Sequence, residues 1–200
     1  MGELPAFEIV KLTDVPDWRS AEWLDRGMHA VFREAADHYP TDPQAAAAFD
    51  QLWLDSYLRA EPELVFVALR GSPSDASIEA DVAGYLVASR RNPLSDPQFA
   101  ELGYFRDFAP HLAAYPAHLH INVRADIRGR GAGRLLIEAA ADELARRGVA
   151  GVHIVTASSA RNTTFYRRAG FIEQGQSDWK GRHRVLMGRK LLLPLPVRGV

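Results

Sequence analysis

Apolar and polar positions alternate in blocks along the chain, and the blocks change period. AFEIVKLT, residues 6–13, reads as a first strand. DWRSAEWLDRGMHAVFREA follows, with Trp18, Trp23, Met28, Val31 and Phe32 at helical spacings, so the pattern predicts a helix. DPQAAAAFDQLWLDSYLRA predicts a second, with Asp42 as N-cap and Pro43 at the favoured first position. LVFVALR and VAGYLVASR read as an antiparallel strand pair joined through the polar GSPSDASIEAD. Residues 91–116 are rich in proline and aromatics, and helix is expected from Pro97 to Leu112. A connection of that length is usually functional.

The second half of the chain is more regular. HLHINV alternates, with Leu119, Ile121 and Val123 on one face and His118, His120 and Asn122 on the other. GRLLIEAAADELARRG is helical, with Leu136, Ala140 and Leu144 four apart and Gly148 as its stop. VAGVHIVTA is a buried strand. SSARNTTFYRRAG is a short helix, capped at Ser158 or Ser159 and ended at Gly170. FIEQGQSDW and HRVLMGRKLLL close the chain as a hairpin. The order β-α-α-β-β-(α)-β-α-β-α-β-β gives a mixed α/β sheet, read as a single domain over 1–200.

Composition narrows the picture. Two hundred residues, 47% of them apolar, bury a sizeable core. A net charge of −1 argues against general attraction to nucleic acid or membrane. The absence of cysteine removes disulfides, thiolate nucleophiles and Cys-ligated metals. No signal peptide or membrane span is visible, so a cytoplasmic location is expected.

The segment IRGRGAGRLL, between strand and helix, departs from any packing pattern. Glycine costs roughly 0.5–1 kcal/mol against alanine in a regular element, so three at one helix mouth imply a close ligand. A helix N-terminus has unpaired N–H groups and partial positive charge. Gly129, Gly131 and Gly133 let an anion approach, and Arg128, Arg130 and Arg134 add charge; four arginines against Asp126 make residues 124–134 locally +3. Three phosphate loops compete. The nucleoside-triphosphate loop needs Lys then Ser or Thr after its last glycine, whereas Arg134 and Leu135 follow Gly133. The dinucleotide fingerprint needs G-x-x-G spacing and an acid about twenty residues on, whereas the next strand ends IVTA.

The remaining pattern, R-x-x-G-x-G/A, is matched by Arg128, Gly131 and Gly133. With FYRRAGF downstream, it resembles the acetyl-CoA loop and F-Y-x-x-x-G-F signature of the GNAT superfamily of N-acetyltransferases, closely over Pro116–Phe171. YPAHLHINV and VLMGRKL further resemble the acetyltransferase-like domain at the C-terminus of O-GlcNAc hydrolases and its free-standing bacterial relatives. In the fused eukaryotic forms the phosphate loop is degraded; here it is intact.

The resemblance implies a mostly antiparallel sheet of about seven strands, flanked by helices and splayed between the fourth and fifth. It implies acetyl-CoA as acyl donor and an amine as acceptor. The diphosphate would lie on Arg128, Gly129, Arg130, Gly131, Ala132, Gly133 and Arg134, and the pantetheine arm on the backbone of Ile121, Asn122 and Val123. Tyr166 stands at the family's general-acid position. The family's usual Asn seven residues earlier is Ser159 here, while Asn162 lies four before Tyr166; Ser159 and Asn162 are both expected cofactor contacts.

The general base is open between His120, His118, Asp126, Asp107 and a water relay; His120, whose imidazole titrates in the right range, is the first candidate. Asp107, Tyr115, His118 and Trp179 are expected on the acceptor side, with Tyr104 and Phe105 near them. H-x-H has no third residue at metal-ligand spacing, so no metal is expected. The resemblance admits a homodimer. The rival readings are a catalytically silent acyl-CoA-binding or protein-interaction module and, more distantly, nucleic-acid binding through the arginines.

Overall fold

The computed structural model describes residues 7–70 and 81–192. Seven strands run in the order β1-β2-β3-β4-β5-β7-β6. They are β1 (Phe7–Lys11), β2 (Val65–Arg70), β3 (Asp81–Ser89), β4 (Ala117–Val123), β5 (Gly151–Ala157), β6 (Ile172–Trp179) and β7 (Arg182–Lys190). The recorded ladders are antiparallel, except that β4 runs parallel to β5. The expected hairpin of β2 with β3 forms; most of its polar connection, GSPSDASIEAD, lies outside the described residues. By internal contacts the chain divides into two compact units, residues 1–88 with 120–140 and residues 89–119 with 141–200.

In the first unit, α1 (Glu22–Ala35) buries Leu24, Met28, Val31 and Phe32. It begins five residues later than the apolar pattern predicts. Pro16 and a left-handed Asp17 (φ 51°) form a turn instead, closed by Ser20 N–H on the Asp17 carbonyl. α2 (Pro43–Asp50) starts as expected, with the Asp42 carboxylate accepting from Ala45 N–H at 2.8 Å. The helical run then widens into a π-helical turn, Gln51–Asp55, before α3 (Ser56–Ala60). That turn supplies Asp55 to His29 of α1 at 3.1 Å. The bond to Asp55 raises the His29 imidazole from 6.5 to about 9, against its partial burial.

In the second unit the expected helix from Pro97 to Leu112 is broken. Only a 3-10 turn (Pro97–Phe99), α4 (Tyr104–Asp107) and α5 (Ala109–Leu112) form, because Gly103 and Pro110 interrupt the run. α6 (Ala132–Arg146) belongs partly to each unit, buries Leu136, Ile137, Ala140 and Leu144, and is followed by the left-handed Gly148 (φ 76°). α7 (Ala160–Arg168) is followed by left-handed Gly170 (φ 82°), and Arg189 donates to the Ala169 carbonyl at 3.0 Å. β6 and β7 join through Lys180 and Gly181, both at positive φ, as a tight two-residue hairpin requires.

His153 of β5 is fully buried, and its Nδ1 bonds the Tyr115 carbonyl at 2.6 Å. Burial drops its pKa to about 4. The two histidines therefore act on stability in opposite directions. The raised pKa of His29 stabilises fully below 6.5, and this is lost as pH rises through about 9. The depressed pKa of His153 leaves the fold undisturbed above 6.5 and costs stability as pH falls toward about 4. Thermal unfolding from pH 4 to pH 9.5 should show both limbs. His29→Gln should flatten the alkaline limb and His153→Asn the acid one, at about 2–4 °C for each kcal/mol involved. Unchanged limbs in the two variants would refute the assignments.

Candidate active site

The glycine-rich loop begins where β4 ends. Ala125–Ile127 makes a 3-10 turn, and Ile127 and Ala132 are buried as anchors on either side of the exposed residues 128–131. Gly129 and Gly131 both stand at left-handed φ, 80° and 96°, and a Cβ on either would meet nothing within 4 Å. These glycines are therefore required by backbone conformation, not by packing, and the space before them is open. An L-residue in that conformation costs roughly 1–2 kcal/mol. The N–H groups of the first turn of α6 have no intrahelical acceptor, and Leu135 N–H bonds the Gly131 carbonyl at 3.1 Å. Among the described residues, the backbone N–H groups of Gly129, Gly131, Ala132 and Gly133 have no backbone acceptor.

Charge around the loop is sorted by geometry. Arg124 bonds Asp126 through two nitrogens, at 3.1 and 3.0 Å, and Asp81 through the third at 2.6 Å. Asp81 also holds Arg70 at 2.6 Å. Asp126, a candidate base in the sequence, is thus committed to Arg124. Arg128, Arg130 and Arg134 remain exposed, with Arg128 Nε donating to the Val123 carbonyl at 3.1 Å. The Glu34 carboxylate of α1 accepts from Ala125 N–H at 2.6 Å and ties the loop's first residue to the helix. The donor set, bare amides plus the exposed guanidiniums of Arg130 and Arg134 and the remaining nitrogens of Arg128, fits a diphosphate.

β4 changes character along its length. Its ladder with β5 records two pairs, Ala117↔Val152 and His118↔His153. On the opposite edge, Arg124 N–H donates to the Ala83 carbonyl of β3 at 3.0 Å. Amides alternate in direction along a strand, so those of Val123 and Ile121 point away from β3. Gly84 permits the close approach of β3, since a Cβ there would lie 2.8 Å from the Asn122 carbonyl oxygen. Asn122 itself donates to the Tyr85 hydroxyl at 2.9 Å. His120 is half-buried, its ring set against Trp53 (4.7 Å between centroids) and Tyr57 (5.7 Å). The sequence did not mark Trp53 and Tyr57 as site residues. Their four-residue spacing on a helix was visible, but not the face of β4 they would meet.

The other expected acceptor contacts lie in the second unit. His118 is only 3% exposed, with its ring against Phe99 at 5.0 Å and 5.7 Å from that of His153. The Tyr115 ring fills the space over Gly188, where a Cβ would come within 2.7 Å of it. Both therefore sit in the core of that unit, where open-wall residues were expected. Alternation assigned His118 to a polar face, but the first part of β4 is buried on both faces. Asp107 is exposed and accepts from the buried Ser177 hydroxyl at 2.5 Å. Trp179 stands over Gly103 and edge-on to Tyr104 at 5.4 Å, with Lys180 above its ring at 4.5 Å.

Ser159 precedes α7 without a side-chain cap; its carbonyl accepts from the amide and hydroxyl of Thr163. Asn162 donates to Thr156 of β5 at 3.2 Å, so its amide ties α7 to the strand. Tyr166 packs against Phe165 and Phe171, at 5.0 and 5.7 Å, and is 8% exposed. Its hydroxyl has no hydrogen-bond partner among the described residues. Burial pushes the phenol pKa upward, so the proton stays on oxygen at neutral pH.

Residues 21–171 match the sequence model of the Acetyltransferase (GNAT) family. Among solved structures, SsHAT is 27% identical with a TM-score of 0.66, over 93% of this chain and 98% of that one. The fold is shared with Ard1 from Thermoplasma volcanium, at 16% identity and a TM-score of 0.60 over 94% and 99% of the two chains. It is shared also with a chain of the NatC complex bound to Gag peptide and CoA, at 17% identity and 0.57 over 93% and 99%.

Proposed function

Because the chain belongs to the GNAT acetyltransferase family, whose donor is acetyl-CoA, we propose that it transfers acetyl directly from acetyl-CoA to an amine. The observation that carries this reading is the loop: two left-handed glycines over open space, at the mouth of α6, with three exposed arginines. Residues 128–134 take the diphosphate, and the outward amides of Ile121 and Val123, with Asn122 between them, take the pantetheine arm. Ser159 and Asn162 are proposed as further cofactor contacts at the start of α7.

When bound, acetyl-CoA supplies a thioester whose C–S bond is exchanged for a C–N bond to the amine. Val123 N–H polarises the acyl oxygen; one such preorganised donor is worth about 3–4 kcal/mol of barrier. His120 removes the proton from the incoming ammonium. Tyr166 delivers its hydroxyl proton to the departing sulfur. Asp107 and Trp179 are proposed on the acceptor side; His118 and Tyr115 support the strand from within the core. The strings YPAHLHINV and VLMGRKL support placing the chain beside the acetyltransferase-like domains of O-GlcNAc hydrolases. The family match enters both compact units, which supports one domain over 1–200.

Calorimetry with acetyl-CoA, paired with release of free CoA thiol over a panel of amines, tests the reading. Binding together with amine-dependent release is the expected result. Binding without release would assign a silent acyl-CoA module, and no binding would remove the reading altogether.

A further inference from the structure

The π-helical turn carries an aromatic row to the middle of β4. Phe32 and Phe49 stack at 5.3 Å, Phe49 meets Trp53 at 6.5 Å, and Trp53 meets the His120 ring at 4.7 Å, tilted by 66°. Tyr57, one turn on, meets the same imidazole from a second direction. Phe49, Trp53 and His120 are each half-buried, so the row presents aromatic surface beside the imidazole without being sealed in the core.

The carboxylates of the same helical run are already matched. Asp42 caps α2. Asp50 accepts from the Tyr39 hydroxyl at 2.8 Å and faces Arg33 at 3.5 Å. Asp55 holds the charged His29. The row thus offers π faces next to a proton acceptor, and the run carrying it offers no spare acid for a second ammonium or for a ring of hydroxyls.

Given the transferase reading with His120 as base, on which this inference rests, we propose that the acceptor is a monoamine on an aromatic or aliphatic skeleton. Trp53 determines that choice: the skeleton lies against its indole while His120 receives the proton of the single ammonium. A protonated amine on such a skeleton also gains from the face of the indole itself.

The test uses the full chain with phenethylamine, spermidine and glucosamine as acceptors, in the wild type and in Trp53→Ala, Trp53→Phe and His120→Gln. Phenethylamine is expected to lead the other two in kcat/KM by at least about tenfold. Trp53→Ala should raise its KM by about 10–100-fold, the range for losing an apolar specificity contact, and erase the preference. Trp53→Phe should retain most of it, and acetyl-CoA affinity should not move in either. Preference for spermidine or glucosamine, or a preference that survives Trp53→Ala, overturns the proposal.

The outcome with His120→Gln separates the two claims. If its activity is intact, the base assignment fails while the Trp53 effect on KM still decides specificity. If no amine is turned over, phenethylamine binding followed by quenching of tryptophan fluorescence decides instead. Quenching that Trp53→Phe removes supports the site, and its absence, or its persistence in that variant, overturns it.

Discussion

Replacing Gly131 by glutamate is expected to weaken acetyl-CoA binding at least about 100-fold, which is about 2.7 kcal/mol. Two effects add. The backbone at φ 96° opposes any Cβ, by roughly 1–2 kcal/mol. The carboxylate then projects into the space that Arg128, Arg130 and Arg134 make attractive to an anion. Gly131→Ala carries the first effect without the second, so its affinity should fall by no more than about tenfold, within that backbone cost. Because nothing lies within 4 Å of the added Cβ, both variants should still fold, with the backbone strain lowering the melting temperature by about 2–4 °C per kcal/mol and equally in the two. Calorimetry beside thermal unfolding reads all of this. Equal affinity in Gly131→Glu and wild type would place the diphosphate elsewhere.

Tyr166→Phe should lower kcat by about 100-fold or more, since a positioned general acid contributes about 10²–10⁴. Acetyl-CoA affinity should stay within about twofold, because one hydroxyl is removed and an uncommitted group loses no internal partner. The ring contacts with Phe165 and Phe171 survive the change, so stability should hold. The pH profile adds a second check. Burial raises the phenol above its ordinary range, so any titration of kcat between pH 6 and 9 belongs to another group. That limb should persist in the residual activity of the variant. A fall of less than about fivefold, far below the range for acid catalysis, would mean that solvent protonates the sulfur.

Much of this was legible in the residues because the signals are local. Asp42 and Pro43 announce a helix start, Gly148 and Gly170 announce stops, and the glycines of the loop need left-handed backbone whatever surrounds them. The succession of strands and helices along the chain followed from the alternation of β and α patterns, and the mostly antiparallel seven-strand sheet from the resemblance. What the sequence could not show was long-range. Arg124 reads as one of four equivalent guanidiniums, yet Asp81, forty-three residues earlier, and Asp126 remove it from the phosphate set. His118 and His120 read as a pair on one face. The surroundings of β4 change between them, so one becomes a core residue and the other stays half-open. The π-helical turn has no local mark, since QLWLDSYLRA is an ordinary helical string, and only the structure reveals that Trp53 of the turn and Tyr57 of α3 both reach His120.

If the pantetheine arm lies where it is proposed, the amides of Ile121 and Val123, beyond the pairs at the head of β4, become a built-in gauge of occupancy. A central strand normally shields its protons from solvent for as long as the sheet survives. Ile121 and Val123, aimed away from β3, should surrender theirs to deuterium as fast as a peripheral strand does. A ligand bonded there would slow just those two positions, leaving Arg124 N–H, already satisfied by Ala83 of β3, unchanged.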